Sequence, residues 1–470
     1  VIDEKTTCIA TGFSPLIVLR KKPLYSEQHP RAWWSAVQKA VSSIPKNVRN
    51  HITHIGLTGQ MHGLVLLGER GHVLRPAILW NDQRSFAQCV ELAKKTPSFV
   101  QISGNLLMPG FTAPKLLWVK EHEPHIFDQI HKVLLPKDYL RYLLTEEYAT
   151  DVSDASGTSW LDVKNRRWSL PLLRHTGIDQ DAMPKVFEGP EITGQITKKA
   201  AKELGLSPKV LVVAGGGDNA CSALGVGCIA NGDTCISLGT SGAYFVVRKH
   251  YQPQAKNAVH TYCHALPGLW HQMSVHLSSA SCFSLLENIF SKPINRMIKG
   301  TFLEKHGLFF LPYLSGERTP YNDPYAQGTF FGLTHDTTQK QMLSAVMEGT
   351  GFALKNGQIL LDKSQGSIYL LGGGARNTAW LHVLASILEK RLVFYENAPV
   401  GASLGAAKLA LYGAKKGSKK DIFSCSEQGK ILRGKPSLYP YYREKHALFN
   451  DLYRALQPVY RKKHHIGEMT

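Results

Sequence analysis

No run of apolar residues in this sequence reaches the ~20 in succession that a bilayer span needs. Residues 1–7, Val-Ile-Asp-Glu-Lys-Thr-Thr, also lack the basic stretch and hydrophobic core of a secretory signal. The expectation is a soluble cytoplasmic protein with no membrane partner. Paired cysteines are missing as well. Residues 8, 89, 221, 228, 235, 263, 282 and 425 are cysteine, with no Cys-x-x-Cys among them, and several sit in apolar, glycine-rich surroundings. This argues for buried free thiols in a reducing compartment and against a thiolate metal site, and no histidines show catalytic zinc spacing. There is no Gly-x-x-x-x-Gly-Lys-[Ser/Thr] P-loop and no Gly-x-Gly-x-x-Gly between strand and helix, which disfavours a Rossmann NAD site. Acidic residues are scarce, 36 against 55 Lys and Arg, for a formal charge of +19. That balance favours anionic partners. Its clusters, such as Lys415, Lys416, Lys419 and Lys420 or the tail at 461–465, read as solvated faces. Zinc-finger spacing, an RNP strand and a basic stripe with interleaved aromatics are all absent, so no specific nucleic-acid partner is expected.

What is present is the composition of a packed protein, 43% hydrophobic and 19% charged, in a chain of 470 residues. One hydrophobic core rarely grows that large, so two domains are expected. Residues 1–3 and 8–11 read as short strands around a polar turn, and Pro30 heads an amphipathic helix reaching Val41. Strands are expected at 54–59, 64–67, 77–80 and 133–136, a helix at 114–123, and a helical turn or two from Tyr139 to Leu144. Val210–Ala214 is a continuous apolar run of the kind covered on both faces, followed by a small-residue helix over 220–227. Thr234–Leu238, Tyr244–Val247 and Ser367–Leu371 complete the strands, with helices at 339–350 and 380–388. Strand, glycine turn and helix alternate, which points to an α/β fold. The boundary falls between Gly225 and Asn231, dividing the chain into 1–228 and 229–470.

Three strands run into glycine-rich turns: Gly215-Gly216-Gly217-Asp218, Gly239-Thr240-Ser241-Gly242 and Gly372-Gly373-Gly374. Such turns can aim backbone N–H groups at phosphate oxygens. Each alone is more often just a tight connection; three in one chain, one ending in an acidic residue, favour a nucleotide. Asp218, behind a buried strand and three glycines, could take a proton from a substrate hydroxyl. It could also cap the helix that follows, with Asn219 as capping partner or polyol ligand. Gln60-Met61-His62-Gly63 is a second polar cluster after a strand, where His62 could bind a sugar hydroxyl or simply be satisfied within its turn.

Longer stretches carry a likeness that local rules do not supply. They are Gly59–Gly63, Arg75–Asp82, GNLLMPGFTAPKLLW at 104–118, LLPKDYL at 134–140, Asp154–Thr158, AGGGDNA at 214–220 and SLGTSG at 237–242. Further on come LPYLSGERTPYNDP at 311–324, the stretch 328–348, and LGGGARNTAW at 371–380. On these the chain resembles the FGGY family of carbohydrate kinases, in its xylulose-phosphorylating branch, over nearly its full length. The resemblance implies two ribonuclease-H-like domains of the actin, hexokinase and heat-shock ATPase type with a cleft between them. Residues 1–228 would bind sugar and 229–470 nucleotide. It implies ATP-dependent phosphorylation of D-xylulose to D-xylulose 5-phosphate, ATP and Mg²⁺ as cofactors, and a homodimer. By the same likeness Asp218 is the general base, Met61, His62 and Asn219 line the sugar site, Gly239, Thr240 and Ser241 meet phosphate, and Gly373, Gly374 and Asn377 lie near the adenosine. No metal ligand is assigned.

Family members open with a strand and an Asp-x-Gly-Thr turn that meets the ATP phosphates. Val1-Ile2-Asp3-Glu4 reads instead as the end of the second strand and its hairpin. The expectation is therefore that this phosphate-binding segment is missing, and a catalytically impaired sugar-binding protein of the same fold is the alternative.

Overall fold

Residues 1–10 form a hairpin in which Ile2 pairs antiparallel with Cys8 and the terminal amine donates to the carbonyl of Ala10 at 2.7 Å. Asp3 Oδ1 accepts from the amides of Lys5 and Thr7, so its carboxylate closes its own turn. The computed structural model describes every residue except 97, 299, 301, 363–365, 396–400, 425–428 and 469–470, and leaves aside the side chains of 464–468. Cys425 and the side chains of His464 and His465 therefore lie outside the described residues. The other seven cysteines are free, and all but Cys8 are buried.

The N-terminal half is built around a three-stranded sheet. Helix α1, Pro30–Ser42, starts at its proline, whose fixed φ and missing N–H suit a first helical position. Trp34, Val37 and Val41 on its apolar stripe join a cluster with Leu144, Ala200 and Ala201, to which Ile55 and Leu57 of strand β1, His54–Gly59, also belong. Helix α2, Thr112–His122, follows. Helix α3, Pro136–Thr145, runs for 10 residues where the sequence suggested a turn or two, because Lys137, Asp138 and Arg141 face inward and are buried. The short helix α4, Val152–Ala155, is capped by Asp151, whose side chain accepts from the amides of Ser153 and Asp154.

Strands β2, Ile192–Gln195, and β3, Leu211–Gly217, complete this sheet in the order β2-β3-β1, with β3 central, antiparallel to β2 and parallel to β1. β3 extends through its glycines, further than the apolar run indicates. At Gly215 φ is +76°, and a Cβ there would lie 1.9 Å from the Leu57 carbonyl oxygen, so only glycine lets β3 and β1 stay together. Helix α5, Asp218–Gly225, begins at the end of β3.

The second sheet, seven strands among the described residues, starts with β4, Thr234–Leu238, and β5, Gly242–Arg248. Next come β6, His260–Cys263, and β7, Trp270–His276. Helix α6, Gln339–Leu361, opens with a Thr338–Gln341 capping box. Strand β8, Ile368–Leu371, leads to helix α7, Thr378–Leu388, and then to β9, Leu392–Phe394. After these lie helix α8, Gly401–Gly413, strand β10, Lys430–Leu432, and the long helix α9, Tyr439–Glu468. The order is β6-β7-β5-β4-β8-β9-β10, with β4, β8 and β9 mutually parallel. The main core lies between this sheet and α6, α7 and α9, from Ile236 and Tyr244 to Trp380, Leu384 and Phe449.

Helix α8 does not stay with that core. It returns to the first half and lies on β1 and α5, where Ala406, Leu409 and Ala410 pack with Val213, Cys221 and Leu224. Small residues allow the approach: a Cβ on Gly56 would sit 1.8 Å from the Ala406 carbonyl oxygen, and one on Gly405 1.8 Å from that of Cys221. No helix among the described residues is long and apolar enough to cross a membrane.

Candidate active site

The turn after β1 and the end of β3 form one wall of a cleft. Met61 is buried against the backbone leading to Asp218: a Cβ on Gly217 would lie 2.9 Å from Met61 Cγ and 3.0 Å from its Sδ. His62 adopts φ +69°, a left-handed conformation that costs a non-glycine residue energy and is sustained by its surroundings. Its carbonyl accepts from Thr112 Oγ1 (3.1 Å) and from the buried Lys115 Nζ (3.0 Å). Its ring stacks on Phe111 at 4.6 Å, and Nδ1 lies 2.7 Å from the Gly157 carbonyl. Burial lowers the His62 pKa to about 3, with Lys115 and Arg318 acting in the same direction against the Gly157 bond. The neutral ring carries its hydrogen on Nδ1, because a carbonyl only accepts. Nε2 is thereby left as an acceptor.

Asp218 is the first residue of α5, and the cap position belongs to Gly217. Its Oδ1 accepts from the amide (2.7 Å) and side-chain Nδ2 (3.0 Å) of Asn219, while no hydrogen bond among the described residues engages Oδ2. Burial pushes its pKa up to about 6, against the two bonds from Asn219. A carboxylate with one oxygen anchored and the other available, in surroundings that raise its basicity, can act as a general base near neutral pH. Met61, His62, Asp218 and Asn219 thus come together.

The side chains that extend this wall beyond Phe111 were not legible in the sequence. His260 and Tyr262 on β6 stack on each other at 5.4 Å, and His260 lies 5.6 Å from Phe111. Arg318 Nη1 is 3.3 Å from His260 Nε2, which brings a guanidinium from a loop about 250 residues distant in sequence to the neighbourhood of His62. The aromatic pattern of β6 and the GERTP segment were visible signals, but which face they share is a tertiary fact. Gln60 is turned away from this group, its Nε2 donating to Gln28 Oε1 at 3.0 Å.

The other glycine turns leave the carboxyl ends of the adjacent parallel strands β4 and β8, the edge at which open α/β sheets bind ligands. The carbonyl of Gly239 accepts from Ala280 N, and that of Thr240 from Ser279 N and Ser281 Oγ. No hydrogen bond among the described residues engages the amides of Thr240 and Ser241. Gly372 takes φ +87° over Leu238, and a Cβ on Gly373 would meet nothing within 4 Å. Gly373 opens on a cavity of about 580 Å³ between β4, β8, α5 and α8, with Ser222, Val226, Arg376 and Tyr395 also in its walls. Asn377 caps α7, its Oδ1 accepting from Trp380 N, and Gly374 packs on Leu238 and Trp380. α5 therefore runs from the Asp218 carboxylate to the wall of this cavity. No group of three or more potential metal ligands occurs among the described residues.

A family model described as the N-terminal domain of the FGGY family of carbohydrate kinases matches residues 1–225, and its C-terminal counterpart matches 234–414. The chain is 43% identical over 471 residues to the xylulose kinase of Escherichia coli K12, covering 98% of this chain and 96% of that protein. It is 46% identical over 418 residues to the xylulose kinase of Klebsiella pneumoniae, covering 87% and 86%. Among solved structures it is similar to a "xyloylose kinase" from Brucella ovis, with TM-score 0.93, 41% identity and 97% and 96% coverage. The N-terminal match begins at Val1. It overturns the expectation that the phosphate-binding segment of this domain is missing, and with it the impaired sugar-binding alternative. The reading of Val1–Glu4 as a strand end and hairpin itself holds, since Ile2 pairs with Cys8 and Asp3 closes its own turn; the inference drawn from it about the domain does not.

Proposed function

Since the chain belongs to the FGGY family of carbohydrate kinases, we propose that it transfers the γ-phosphoryl group of ATP to the terminal hydroxyl of D-xylulose, giving D-xylulose 5-phosphate. Its two α/β halves with mixed sheets have the architecture of the actin, hexokinase and heat-shock ATPase type, and we divide them at 228/229. The observation that carries the reading is the position of Asp218, at the start of the helix that joins the Met61–His62 wall to the cavity behind Gly373.

In this mechanism sugar binds beside His62, whose wall the His260–Tyr262 stack and Arg318 extend. His62 Nε2 accepts from one hydroxyl, and Asn219 holds the end to be phosphorylated. Asp218 Oδ2 takes the proton from the terminal hydroxyl as its oxygen attacks. Phosphoryl transfer depends mainly on positioning and on neutralising charge over the γ-phosphate oxygens. The open Gly373 surface and the amides of Thr240 and Ser241 fit a nucleotide triphosphate, with Gly374 and Asn377 shaping the adenosine end. Mg²⁺, a hard ion usually held by one or two carboxylates, water and substrate phosphates, would be held largely by the nucleotide and would supply charge neutralisation.

The test is ADP release by the protein with D-xylulose and with glycerol. A clear excess of kcat/KM for D-xylulose is the expected result. Equal or greater kcat/KM for glycerol would remove the ketose assignment.

A further inference from the structure

Beneath Asp218 lies a group of buried charges that the reaction as described does not use. Lys137 Nζ is 2.5 Å from Asp138 Oδ1, 2.9 Å from Asp151 Oδ1 and 3.4 Å from Asp154 Oδ2, and all four side chains are fully buried. Arg141 closes the group, donating to the carbonyls of Val213 (2.8 Å) and Ala214 on β3. Burial, with Asp138 and Asp151 alongside, holds the Asp154 carboxyl well above the usual carboxylate range, against the pull of Lys137. Breaking such a cluster is costly and its net stabilisation is small, so stability is a weak reason for building one here.

The cluster has an outlet toward the base. Ser153, fully buried, donates its hydroxyl to Asp151 Oδ2 at 2.5 Å and accepts the amide of Gly217 at 3.0 Å. The direction is forced, because a carboxylate only accepts and a backbone amide only donates. Gly217 is the residue immediately before Asp218. Its other contacts are Met61 on one side and the parallel pairing with Gly59 on the other. A Cβ on Gly216 would lie 3.1 Å from Ser153 Oγ, so α4 sits directly against this stretch. Lys137, Asp151, Ser153 and Gly217 form a chain of polar contacts ending one peptide from the proposed base.

We propose that Ser153, oriented by Asp151 and Lys137, is a positioning residue for phosphoryl transfer: it fixes the Gly217 peptide and hence the place of the Asp218 carboxylate. This rests on Asp218 being the base. Ser153 meets the wall only from behind, through the Gly217 amide, and does not line the nucleotide cavity, so its loss acts first on the placement of the base.

The experiment is steady-state ADP release by the full chain carrying Ser153→Ala or Asp151→Asn, with the folded fraction fixed by thermal unfolding. A small displacement of a reacting group can cost ~10²-fold, so kcat is expected to fall ~10–10²-fold while KM for sugar and for ATP stays near the parent values. Ser153→Thr, which retains the hydroxyl, should recover most of the lost kcat. Parent-like kcat in folded Ser153→Ala or Asp151→Asn, or a loss that resides wholly in a raised sugar KM, overturns the proposal. The ratios are read on whichever ketose the parent phosphorylates, so a wrong sugar assignment does not imitate either result.

Discussion

At the scale of single residues, the site sets two titratable groups apart by environment. Asp218 is raised to about 6 and His62 is lowered to about 3, both chiefly by burial. A base must be deprotonated to act, so kcat/KM should decline as pH falls below about 6. Asp218→Asn should lower kcat by at least ~10²-fold and abolish that limb, with sugar affinity changing much less. If calorimetry found sugar binding lost while kcat at saturation stayed normal, Asp218 would be a binding residue. His62 should contribute no limb between pH 5 and 8. His62→Phe keeps the stack on Phe111 but removes the acceptor, and one net hydrogen bond of ~1.4 kcal/mol corresponds to a roughly tenfold rise in sugar KM. Met61, His62 and Asp218 were legible in the sequence because each follows a strand within a short polar or glycine-rich segment. Phe111, His260, Tyr262 and Arg318 were not, since they come from separate elements and meet only once the halves pack.

At the scale of elements, the glycines divide by what surrounds them. Gly405→Ala in α8 would place a Cβ 1.8 Å from the Cys221 carbonyl oxygen. Overpacking of that kind costs about 1–3 kcal/mol and sometimes more, so Tm should fall clearly. Gly373→Ala meets open space, so Tm should hold while KM for ATP rises. Equal Tm losses in the two variants would contradict this division. Glycine also accounts for where element boundaries were missed. α6 runs to Leu361, past the Thr350 expected, because Gly349 and Gly351 let Phe310 and Ile387 approach closely rather than ending the helix. α3 was cut short in the sequence reading because Pro136 reads as the end of a strand, whereas it is the first residue of the helix, and the Asp151 and Asp154 that pair with buried Lys137 lie outside it.

At the scale of the whole molecule, several buried histidines set how stability responds to acid. His62, His260, His264 and His271 are all lowered from 6.5, first by burial. Their folded pKa values lie below the unfolded one. Stability is therefore fully present above about pH 6.5 and is lost as pH falls toward the folded values, at ~1.4 kcal/mol per pH unit per group. Asp218 and Asp154 are shifted upward and act in the opposite sense, so they offset part of this loss at low pH. Denaturant unfolding at pH 7 and pH 5 should differ by several kcal/mol. His271→Phe, at a ring already stacked on Phe245, should flatten the dependence by about one proton. An unchanged midpoint between the two pH values would contradict the assignment.

The return of α8 onto β1 and α5 also imposes an order on synthesis. As the chain leaves the ribosome, residues 54–59 and 211–225 emerge long before the helix at 401–413 that covers them. Translation proceeds at ~5–20 residues per second, so the surface around Gly56, Cys221 and Leu224 waits roughly 10–40 s for its cover after residue 225 has been added. During that interval the nascent N-terminal half presents an apolar face it cannot close by itself. Polypeptides released before residue 401 should therefore depend on chaperones or be degraded, whereas release just after 424, once Ile422 and Phe423 have joined the same cluster, leaves that face covered.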